Sequence, residues 1–388
     1  MNSYRIIIYH IKRQCEHNME VIMIKKIQNI KDLKRFIYYA KDLYHDDPHY
    51  IYPLFSILKK ELKQEVLLKK TYTAILYQNE ENQIQGRLLY QISFNPKTNR
   101  NICYWSYFDA INSDDVTKAL FEFMENDMKA HDVFYSEGSF TPYDPDNRRG
   151  ILVQGFDSDP VIFTSYNKEY IPTLLETYGF SKSRDTFSIK PEDSEDGAKR
   201  LERFSQFFER KYNIDVDYIN LNQVDREIKD IHEILSAADH EIIYQEIPSI
   251  DLIKSVAENM KMFLDKRIIM IAREHDTRKP VGFFFCLLDF NQVFKKLKGK
   301  IRPIRMILGK RKITKVRGMM QYVIPQYQKT GLLGYIYKKI YDEFMKMGIT
   351  EFEGGTIMES NESALTTFSM FNGKIANIYR IYGKEISK

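Results

Sequence analysis

Glycine and proline are scarce in this sequence, with 17 and 12 residues among 388. A collagen-like repeat or a flexible low-complexity chain would need many more of both. Tyrosine and phenylalanine are abundant instead, at 27 and 25 residues, which is not the composition of a disordered chain. The composition therefore indicates a globular chain that is long enough for two domains or one large one.

Cysteine is rarer still. Cys15, Cys103 and Cys286 are too few and too scattered for a disulfide framework or a thiolate metal cluster. Two of them, Cys103 and Cys286, lie in apolar strand-like segments, where buried thiols are expected. The cysteine usage therefore fits a reducing compartment, and we expect no bound metal.

Long apolar runs are also missing. The longest candidate, Val281–Phe290, has the length of a strand and falls far short of the roughly 18 residues that a bilayer requires. Near the N-terminus, only Ile6–Ile8 and Ile11 are apolar, which is too little for the core of a signal peptide. We therefore expect a cytoplasmic protein with no membrane partner.

The net charge of +5 is unevenly distributed. Residues 1–190 hold 25 basic and 25 acidic side chains, whereas residues 191–388 hold 33 and 28 and so carry the whole excess. Within that half, Phe294–Gly318 has 11 Lys and Arg residues and no acid. This segment is either a solvated connector or a place where lysines meet an anion such as a phosphorylated cofactor, an acidic substrate or RNA.

Hydrophobic periodicity and turn residues give a similar order of elements twice. Each copy ends with a short helix and a glycine turn into a final strand, and the turn glycines, Gly179 and Gly373, lie 194 residues apart. A polar, turn-rich stretch at 191–200 separates the copies. We therefore predict domains at 21–190 and 201–388, joined by that linker. Residues 1–20 fit neither copy, and Met19 or Met23 could be the native start.

The stretch Val323–Gly334 reads Val-Ile-Pro-Gln-Tyr-Gln-Lys-Thr-Gly-Leu-Leu-Gly and is followed at once by an amphipathic helix pattern. A strand that turns through a glycine loop into a helix leaves free N–H groups at the positive end of the helix dipole. Such an end binds anions, and a pyrophosphate would fit there. An ordinary strand–turn–helix joint has the same spacing, so spacing alone does not decide between the two.

This stretch resembles the signature of the GNAT superfamily of acyl-CoA-dependent N-acyltransferases, Val-x-Pro-x-Tyr-(Gln/Arg)-x-x-Gly-x-(Gly/Ala), whose loop cradles the pyrophosphate of coenzyme A. Gln328 and Gly331 match the first two loop positions, whereas Leu333 stands at the third and Gly334 follows one residue late. The resemblance implies acetyl-CoA or another acyl-CoA as co-substrate. The residues it implies for binding are Val323, Ile324, Gln328, Lys329, Thr330, Gly331, Leu332, Leu333, Gly334 and Asn361.

A second stretch, Asn361-x-x-Ala364-x-x-x-Phe368, is similar to the GNAT pattern Asn-x-x-Ala-x-x-x-Tyr. In many members that tyrosine gives a proton to the departing thiolate, which Phe368 cannot do. The resemblance therefore implies that water, Tyr379 or Tyr382 takes this part, or that chemistry is weak or absent.

Further matches join the chain to an uncharacterised bacterial group of tandem-GNAT proteins over roughly residues 24–386. They include Ala40–Leu54, Gly150–Asp157, Tyr166-Asn167, Gly179-Phe180 and Tyr379–Tyr382. The resemblance implies an α/β fold with two tandem GNAT-like domains, each a mixed, mostly antiparallel sheet flanked by helices.

The first copy lacks the loop signature. Its equivalent stretch, Ile111–Asp115, has no Gln/Arg-x-x-Gly, and Asp114 and Asp115 fall in the first turn of the next helix. Carboxylates there satisfy the helix dipole and repel phosphate. We therefore predict that the first copy does not bind coenzyme A.

Acyl transfer to an amine needs a base or a water chain that takes the proton of the attacking nitrogen. The carboxylates expected nearest the cleft are Glu353 and Glu359, on or just after the strand that follows the motif helix. The alternative for each is a solvated or structurally paired glutamate. Glu359 is the better placed, two residues before Asn361.

The leading hypothesis is an acyl-CoA-dependent N-acyltransferase that transfers an acyl group, such as acetyl, to a small-molecule or peptide amine. The first alternative is an aminoacyl-tRNA-dependent transferase of the tandem-GNAT type, the one case in which a nucleic acid partner is expected. The second is a catalytically inactive GNAT-fold protein that binds a ligand.

Overall fold

In a computed structural model, the described residues are 23–140, 149–192, 195–237, 247–261, 263–369 and 372–387. The N-terminal extension predicted at 1–20 lies outside them. The chain forms two compact units. The first contains the described residues of Met1–Asp185, Phe294–Arg302 and Ile378–Lys388, and the second contains those of Thr186–Val293 and Pro303–Asn377.

The first unit begins with a short strand and two helices, followed by a three-strand meander and alternating helices and strands. Its elements are β1 (Met23–Lys26), α1 (Ile30–Leu43), α2 (Phe55–Leu62), β2 (Thr73–Gln78), β3 (Ile84–Asn95), β4 (Arg100–Ala110), α3 (Asp114–Ala130), β5 (Tyr135–Gly138), β6 (Ile151–Gln154) and α4 (Ile171–Thr177). A π-helical turn, Lys63–Leu68, continues α2.

The sheet of the first unit runs in the order β1-β2-β3-β4-β5, antiparallel except for the parallel pair β4–β5. The C-terminal part of β13 (Lys374–Glu385) continues it beside β5 and also pairs with β6. Side chains alternate between the two faces of a strand. In β2, Ile75 and Tyr77 therefore pack with α3 and α4, whereas Ala74 and Leu76 pack with α1 and α2.

The second unit begins with an additional helix and then largely repeats this order, with further helical turns before the third strand of its meander. Its elements are α5 (Glu195–Lys211), β8 (Ile214–Tyr218), α6 (Val224–Ala237), α7 (Ile250–Met260), β9 (Ile269–Glu274), β10 (Pro280–Leu288), α9 (Pro303–Lys310), β11 (Lys315–Val323), α10 (Leu332–Met347), β12 (Glu351–Met358) and α11 (Glu362–Ser369). Three elements contribute residues to both units: β7 (Ser181–Lys190), α8 (Asn291–Leu297) and β13.

The sheet of the second unit runs in the order β8-β9-β10-β11-β12, followed by the end of β7. It is antiparallel except for the parallel pair β11–β12. Helix α10 packs on this sheet, and α5 packs on α10 through the rings of Phe208 and Tyr335, whose centroids lie 5.2 Å apart. The prediction of a mixed α/β fold with a mostly antiparallel sheet in each of two copies is confirmed.

The two units differ from the predicted domains in where their residues come from. Residues 294–302 join the first unit, where the N–H of Phe55 donates to the carbonyl of Gly299 at 3.1 Å. The part of β13 from Ile378 onward also joins it, because Tyr382 pairs with Gly138 of β5. The stretch predicted as a linker, 191–200, contains the beginning of α5, whose apolar side chains at positions such as Leu201 and Phe208 are buried.

Candidate active site

The motif stretch forms a loop between β11 and α10 in the second unit. The strand ends at Val323, and the N–H of Ile324 donates to the carbonyl of Val281 at 3.0 Å. A 3₁₀ turn, Pro325–Tyr327, follows. The hydroxyl of Tyr327 donates to Oε1 of Glu274 at 3.0 Å and so ties the turn to the end of β9. The loop therefore has a fixed start on the sheet.

The rest of the loop reverses the chain through two left-handed residues. Lys329 has φ of 59° and Gly331 has φ of 97°, a conformation that favours glycine. Gln328 Nε2 donates to the carbonyl of Val323 at 3.3 Å, and Thr330 Oγ1 donates to the carbonyl of Tyr327 at 2.6 Å. Four of the predicted binding residues thus lie in one short, internally hydrogen-bonded turn.

Gly331 is the N-cap of α10 and offers no side-chain oxygen to the N–H groups of the first turn. No side chain in the described part of the chain caps this end. A Cβ placed on Gly331 would meet nothing nearer than Phe208 Cδ2 at 3.9 Å, so the space beside the helix end is open. The N–H groups of Leu332, Leu333 and Gly334 therefore stand at the positive end of the helix dipole, as an anion site requires.

The equivalent helix of the first unit is capped internally. Ser113 Oγ accepts from the N–H of Val116 at 3.4 Å, and Asp114 and Asp115 lie in the first turn of α3. A side-chain acceptor and two carboxylates thus occupy the position that is open in the second unit. This contrast supports the prediction that the first copy does not bind coenzyme A.

Gly334 faces α5. A Cβ at this position would lie 3.5 Å from Cβ of Phe204, an ordinary packing distance, and Leu332 next to the loop is buried. The side of the helix that carries Gly334 is therefore covered by a neighbouring helix. Gly334, one of the residues that the resemblance implies for cofactor binding, thus makes a helix–helix contact on this side.

Strands β11 and β12 pair along only part of their length. Their parallel register runs from Lys315 opposite Glu351 to Gly318 opposite Gly354 and ends there. The remainder of β11, up to Val323, pairs only with β10 in this sheet, while the end of β12 pairs with β7. The two strands therefore separate toward the motif loop, which leaves a gap for an extended ligand between them.

Glu353 is a buried ion-pair partner, with 1% of its side chain exposed. Lys315 Nζ lies 2.9 Å from its Oε2, and Asn377 Nδ2 donates to its Oε1 at 3.1 Å. Burial alone would raise the pKa of Glu353, but the Lys315 ammonium and the hydrogen bonds outweigh it and lower the pKa. A carboxylate held in its charged form by a lysine is a weak base. This environment favours the structural interpretation of Glu353.

The first unit holds a matching carboxylate. Glu137 pairs with Tyr104 in the parallel register of β4 and β5, as Glu353 pairs with Arg317 in that of β11 and β12. Glu137 is also 1% exposed and ion-paired, in its case to Arg184. A buried glutamate thus occurs at the same register position in the copy that lacks the loop signature.

Glu359 and Asn361 lie just beyond β12. Glu359 is half-buried, in the turn between β12 and α11. Asn361 Oδ1 accepts from the N–H of Ala364 at 3.1 Å and so caps α11. The side-chain oxygen of Asn361 is therefore engaged by the helix. Glu359 lies at the end of β12 where β11 and β12 no longer pair, which is the open end of the strand gap.

The aromatic candidates for a proton donor are buried. Tyr379 is 1% exposed and pairs in β13 with Leu152 of the first unit, so it does not belong to the unit that carries the loop. Tyr382 belongs to the first unit too, and its hydroxyl donates to Glu176 Oε1 at 2.8 Å. Phe368 is buried in the second unit against Gly354. The structure therefore brings the loop, Glu353, Glu359 and Asn361 into one unit but leaves Tyr379 out of it.

A cavity of about 250 Å³ lies in the second unit. Its walls are mainly apolar and come from α5, α10, β10, β12 and α11; they include Leu201, Phe284, Tyr337, Ile340, Phe344, Phe352 and Phe368. The hydroxyl of Tyr337 donates to Gln321 Oε1 on the part of β11 that does not pair with β12. Sequence reasoning missed this cavity, because its walls come from five separate elements.

The described residues contain no group of three or more His, Cys, Asp and Glu side chains that could hold a metal ion. No helix among the described residues is both long and apolar enough to cross a bilayer.

Solved structures with similar folds include GNAT acetyltransferases. A tandem GNAT protein from the clavulanic acid biosynthesis pathway, solved without AcCoA, aligns over 95% of this chain and 99% of its own, with a TM-score of 0.56 and 9% identity. A GCN5-related N-acetyltransferase from Sphaerobacter thermophilus aligns over 95% and 96%, with a TM-score of 0.51 and 12% identity. The chain therefore has the GNAT fold, present as two domains in tandem.

A glucosamine N-acetyltransferase region of a fungal multi-domain β-N-acetylglucosaminidase has a TM-score of 0.56 and 10% identity. It aligns over 94% of this chain, which spans only 38% of that longer protein.

Two curated relatives match along nearly the whole chain. The bacterial ceramide synthase of Caulobacter vibrioides is 23% identical over 378 residues, which cover 92% of this chain and 95% of the relative. Protein YghO of Escherichia coli is 23% identical over 382 residues, which cover 94% and 95%. No family model matches the chain.

Proposed function

We propose that the second unit is an acyl-CoA-dependent N-acyltransferase, which joins an acyl group to an amine. The observation that carries this proposal is the uncapped N-terminus of α10 behind Gly331, in a unit with the GNAT fold. Helix ends of this kind bind phosphate groups through free N–H donors and the helix dipole. The internally capped, acidic α3 of the first unit provides no such end.

The residues present fit an acyl-CoA. The N–H groups of Leu332 and Leu333 would hold the pyrophosphate, and the exposed Lys329 would add a positive charge. The bound co-substrate supplies a thioester. The part of β11 beyond Gly318, which pairs with β10 but not with β12, would hold its extended arm through backbone hydrogen bonds on the β12 side, so the protein acts chiefly by positioning.

Amide formation requires that the attacking nitrogen lose a proton and that the departing sulfur gain one. Glu359 is our candidate for the first task, because it lies at the open end of the strand gap and Glu353 is held in a buried ion pair. Phe368 has no proton to give, so water is the candidate for the second task. Both assignments rest on the position of the groups in the second unit.

The amine we propose is a long-chain amino alcohol. The support comes from the Caulobacter relative, a ceramide synthase by name, since ceramide is the amide of such an amine. The apolar cavity beside α10 supports a substrate with an alkyl portion. Short amines and peptide amines are the comparison substrates.

Two glycine substitutions test the binding site. Gly331 and Gly348 stand at opposite ends of α10, both with left-handed φ, at 97° and 72°, and both with open space at the Cβ position. Gly331→Glu and Gly348→Glu therefore add the same charge and similar backbone strain. We expect Gly331→Glu to weaken acetyl-CoA and palmitoyl-CoA binding by about tenfold or more in isothermal titration. Equal affinities in the two variants would contradict the proposal.

Turnover is a separate measurement. Release of free thiol from palmitoyl-CoA in the presence of a long-chain amino alcohol, with the amide identified by mass spectrometry, would support the acyltransferase. Binding without thiol release for any amine would favour the ligand-binding alternative, which the ion pair of Glu353 and the phenylalanine at position 368 also support. Absence of acyl-CoA binding, together with binding of charged tRNA, would favour the aminoacyl-tRNA alternative.

A further inference from the structure

Helix α9, Pro303–Lys310, presents an apolar face to solvent. Ile304, Ile307 and Leu308 are 74%, 64% and 56% exposed, and Ile304 is the most exposed of the large apolar side chains that the structure describes. Positions i, i+3 and i+4 lie on the same side of a helix, so the three side chains form one patch. Isolated exposed apolar residues need no explanation, but a contiguous set on one helix face does.

The opposite side of α9 holds it to the second unit. Met306 is 2% exposed, and a Cβ placed on Gly309 would lie 2.9 Å from Cγ1 of Val293, so the helix backbone sits close to its neighbour. Lys310 Nζ donates to the carbonyl of Leu264 at 2.8 Å. The helix is therefore anchored, and its apolar face is fixed in an outward orientation.

Positive charge surrounds this face. Arg305 lies on the helix, and Arg311 and Lys312 follow its last residue; all three are exposed. None of the three forms an ion pair with any carboxylate among the described residues. The sequence from Phe294 to Gly318 contributes 11 basic residues and no acid. Arg305, Arg311 and Lys312 are thus available to an external anionic partner.

We propose that α9 docks the second unit on the surface of an anionic lipid bilayer. An apolar helix face flanked by lysine and arginine is the pattern of helices that lie in the membrane interface, where the apolar side chains enter the headgroup boundary and the cations meet anionic lipid. RNA offers no apolar surface for Ile304, Ile307 and Leu308. A second copy of this face would bring like charges together.

This proposal departs from the sequence-based expectation of no membrane partner. That expectation came from the lack of a membrane-spanning run, and a surface helix needs none. The proposal stands independently of the acyltransferase proposal, because it uses no residue of the loop before α10.

The test is co-sedimentation of the full chain with vesicles. One set contains phosphatidylcholine alone, and the other contains equal parts of phosphatidylcholine and phosphatidylglycerol. We expect binding to the anionic set only, weakened by salt as ionic screening increases. Failure of the unaltered protein to bind anionic vesicles would overturn the proposal.

Two triple variants separate the apolar and the charge contributions. The apolar variant is Ile304→Ser, Ile307→Ser and Leu308→Ser, and the charge variant is Arg305→Glu, Arg311→Glu and Lys312→Glu. We expect each to lower the partition coefficient by about tenfold or more. Partition coefficients equal to that of the unaltered protein would overturn the proposal.

Matched controls change the same properties elsewhere. The apolar control is Leu68→Ser with Phe94→Ser, at positions 60% and 57% exposed in the first unit. The charge control is Lys31→Glu, Lys34→Glu and Lys60→Glu, also in the first unit. Both controls should bind as the unaltered protein does, and an equal loss in them would overturn the assignment to α9. Sedimentation velocity completes the test by measuring the oligomeric state. If the unaltered protein is a dimer that does not bind vesicles, and only the apolar variant is a monomer, this face would be assigned to contact with a second copy.

Discussion

Replacing Glu353 by glutamine distinguishes a structural carboxylate from a catalytic one. The change removes the negative charge opposite Lys315, whose side chain is 8% exposed and whose Nζ lies 2.9 Å away. Removing one partner of a buried ion pair leaves the other charge uncompensated, which costs about 3–5 kcal/mol. The glutamine carbonyl can still accept a hydrogen bond from Asn377. We therefore expect the free energy of unfolding to fall by about 3 kcal/mol, at the lower end of that range.

Urea unfolding of the purified protein measures this loss, followed by a probe of the second unit. The double variant Glu353→Leu with Lys315→Met removes both charges and should recover much of the stability, because an apolar pair can replace a buried ion pair. A Glu353→Gln variant that unfolds at the same urea concentration as the unaltered protein, but has lost activity, would refute the structural interpretation.

The pH dependence gives an independent check. Burial alone would raise the pKa of Glu353, but Lys315, Lys190 and the hydrogen bonds together outweigh it, so the pKa is lower in the folded protein than its ordinary value of 4.5. A lowered pKa contributes stability that is present above the unfolded value and is lost as the pH falls through the folded value. The difference in unfolding free energy between the unaltered protein and Glu353→Gln should therefore be constant near neutral pH and shrink below about pH 4.5.

Three further predictions concern the neighbourhood of this carboxylate. Asn361→Ala removes the oxygen that accepts from Ala364 and should destabilise the second unit by about 1 kcal/mol in urea unfolding, whereas Asn361→Asp, which keeps an acceptor, should not. If Glu359 takes the proton of the amine, Glu359→Gln should lower kcat by about 100-fold or more with the acyl-CoA Kd unchanged, and an unchanged kcat would exclude it. Gly354→Ala places a Cβ 2.3 Å from Cζ of Phe368, so thermal unfolding should show a loss of stability of about 1–3 kcal/mol. Adding Phe368→Leu in the same chain should recover part of that stability.

Much of the fold could be predicted from the sequence, because the hydrophobic period and the turn residues agree locally. Gly179 and Gly373 each lie between a short helix and the following strand, as predicted for the end of each copy, and the motif loop lies between strand and helix as its pattern indicates. The helices α8 and α9 were not predicted. Their apolar residues at helical spacing are interleaved with lysine and arginine, so the charge of the segment concealed its period.

The contents of the candidate site were less predictable, since they depend on register between distant segments. Lys315 reaches Glu353 only because β11 and β12 pair in parallel with Lys315 opposite Glu351. Tyr379 follows the motif helix in sequence, but its strand pairs with β6 of the first unit. No local pattern records either pairing, and both decide whether a residue can take part in chemistry.

The duplication provides its own control for assigning function. A feature present in both copies is explained by the shared fold, and a feature of one copy needs a separate reason. The buried, ion-paired glutamate occurs at the same register position in both copies, as Glu137 and Glu353, so its presence is explained by the scaffold. The helix after the central strand differs: Ser113 caps it in the first copy, and Gly331 leaves it open in the second. Because only the second copy has an open helix end, the loop before α10 is the candidate active site. The equivalent positions of the first copy then serve as controls for substitutions in the second.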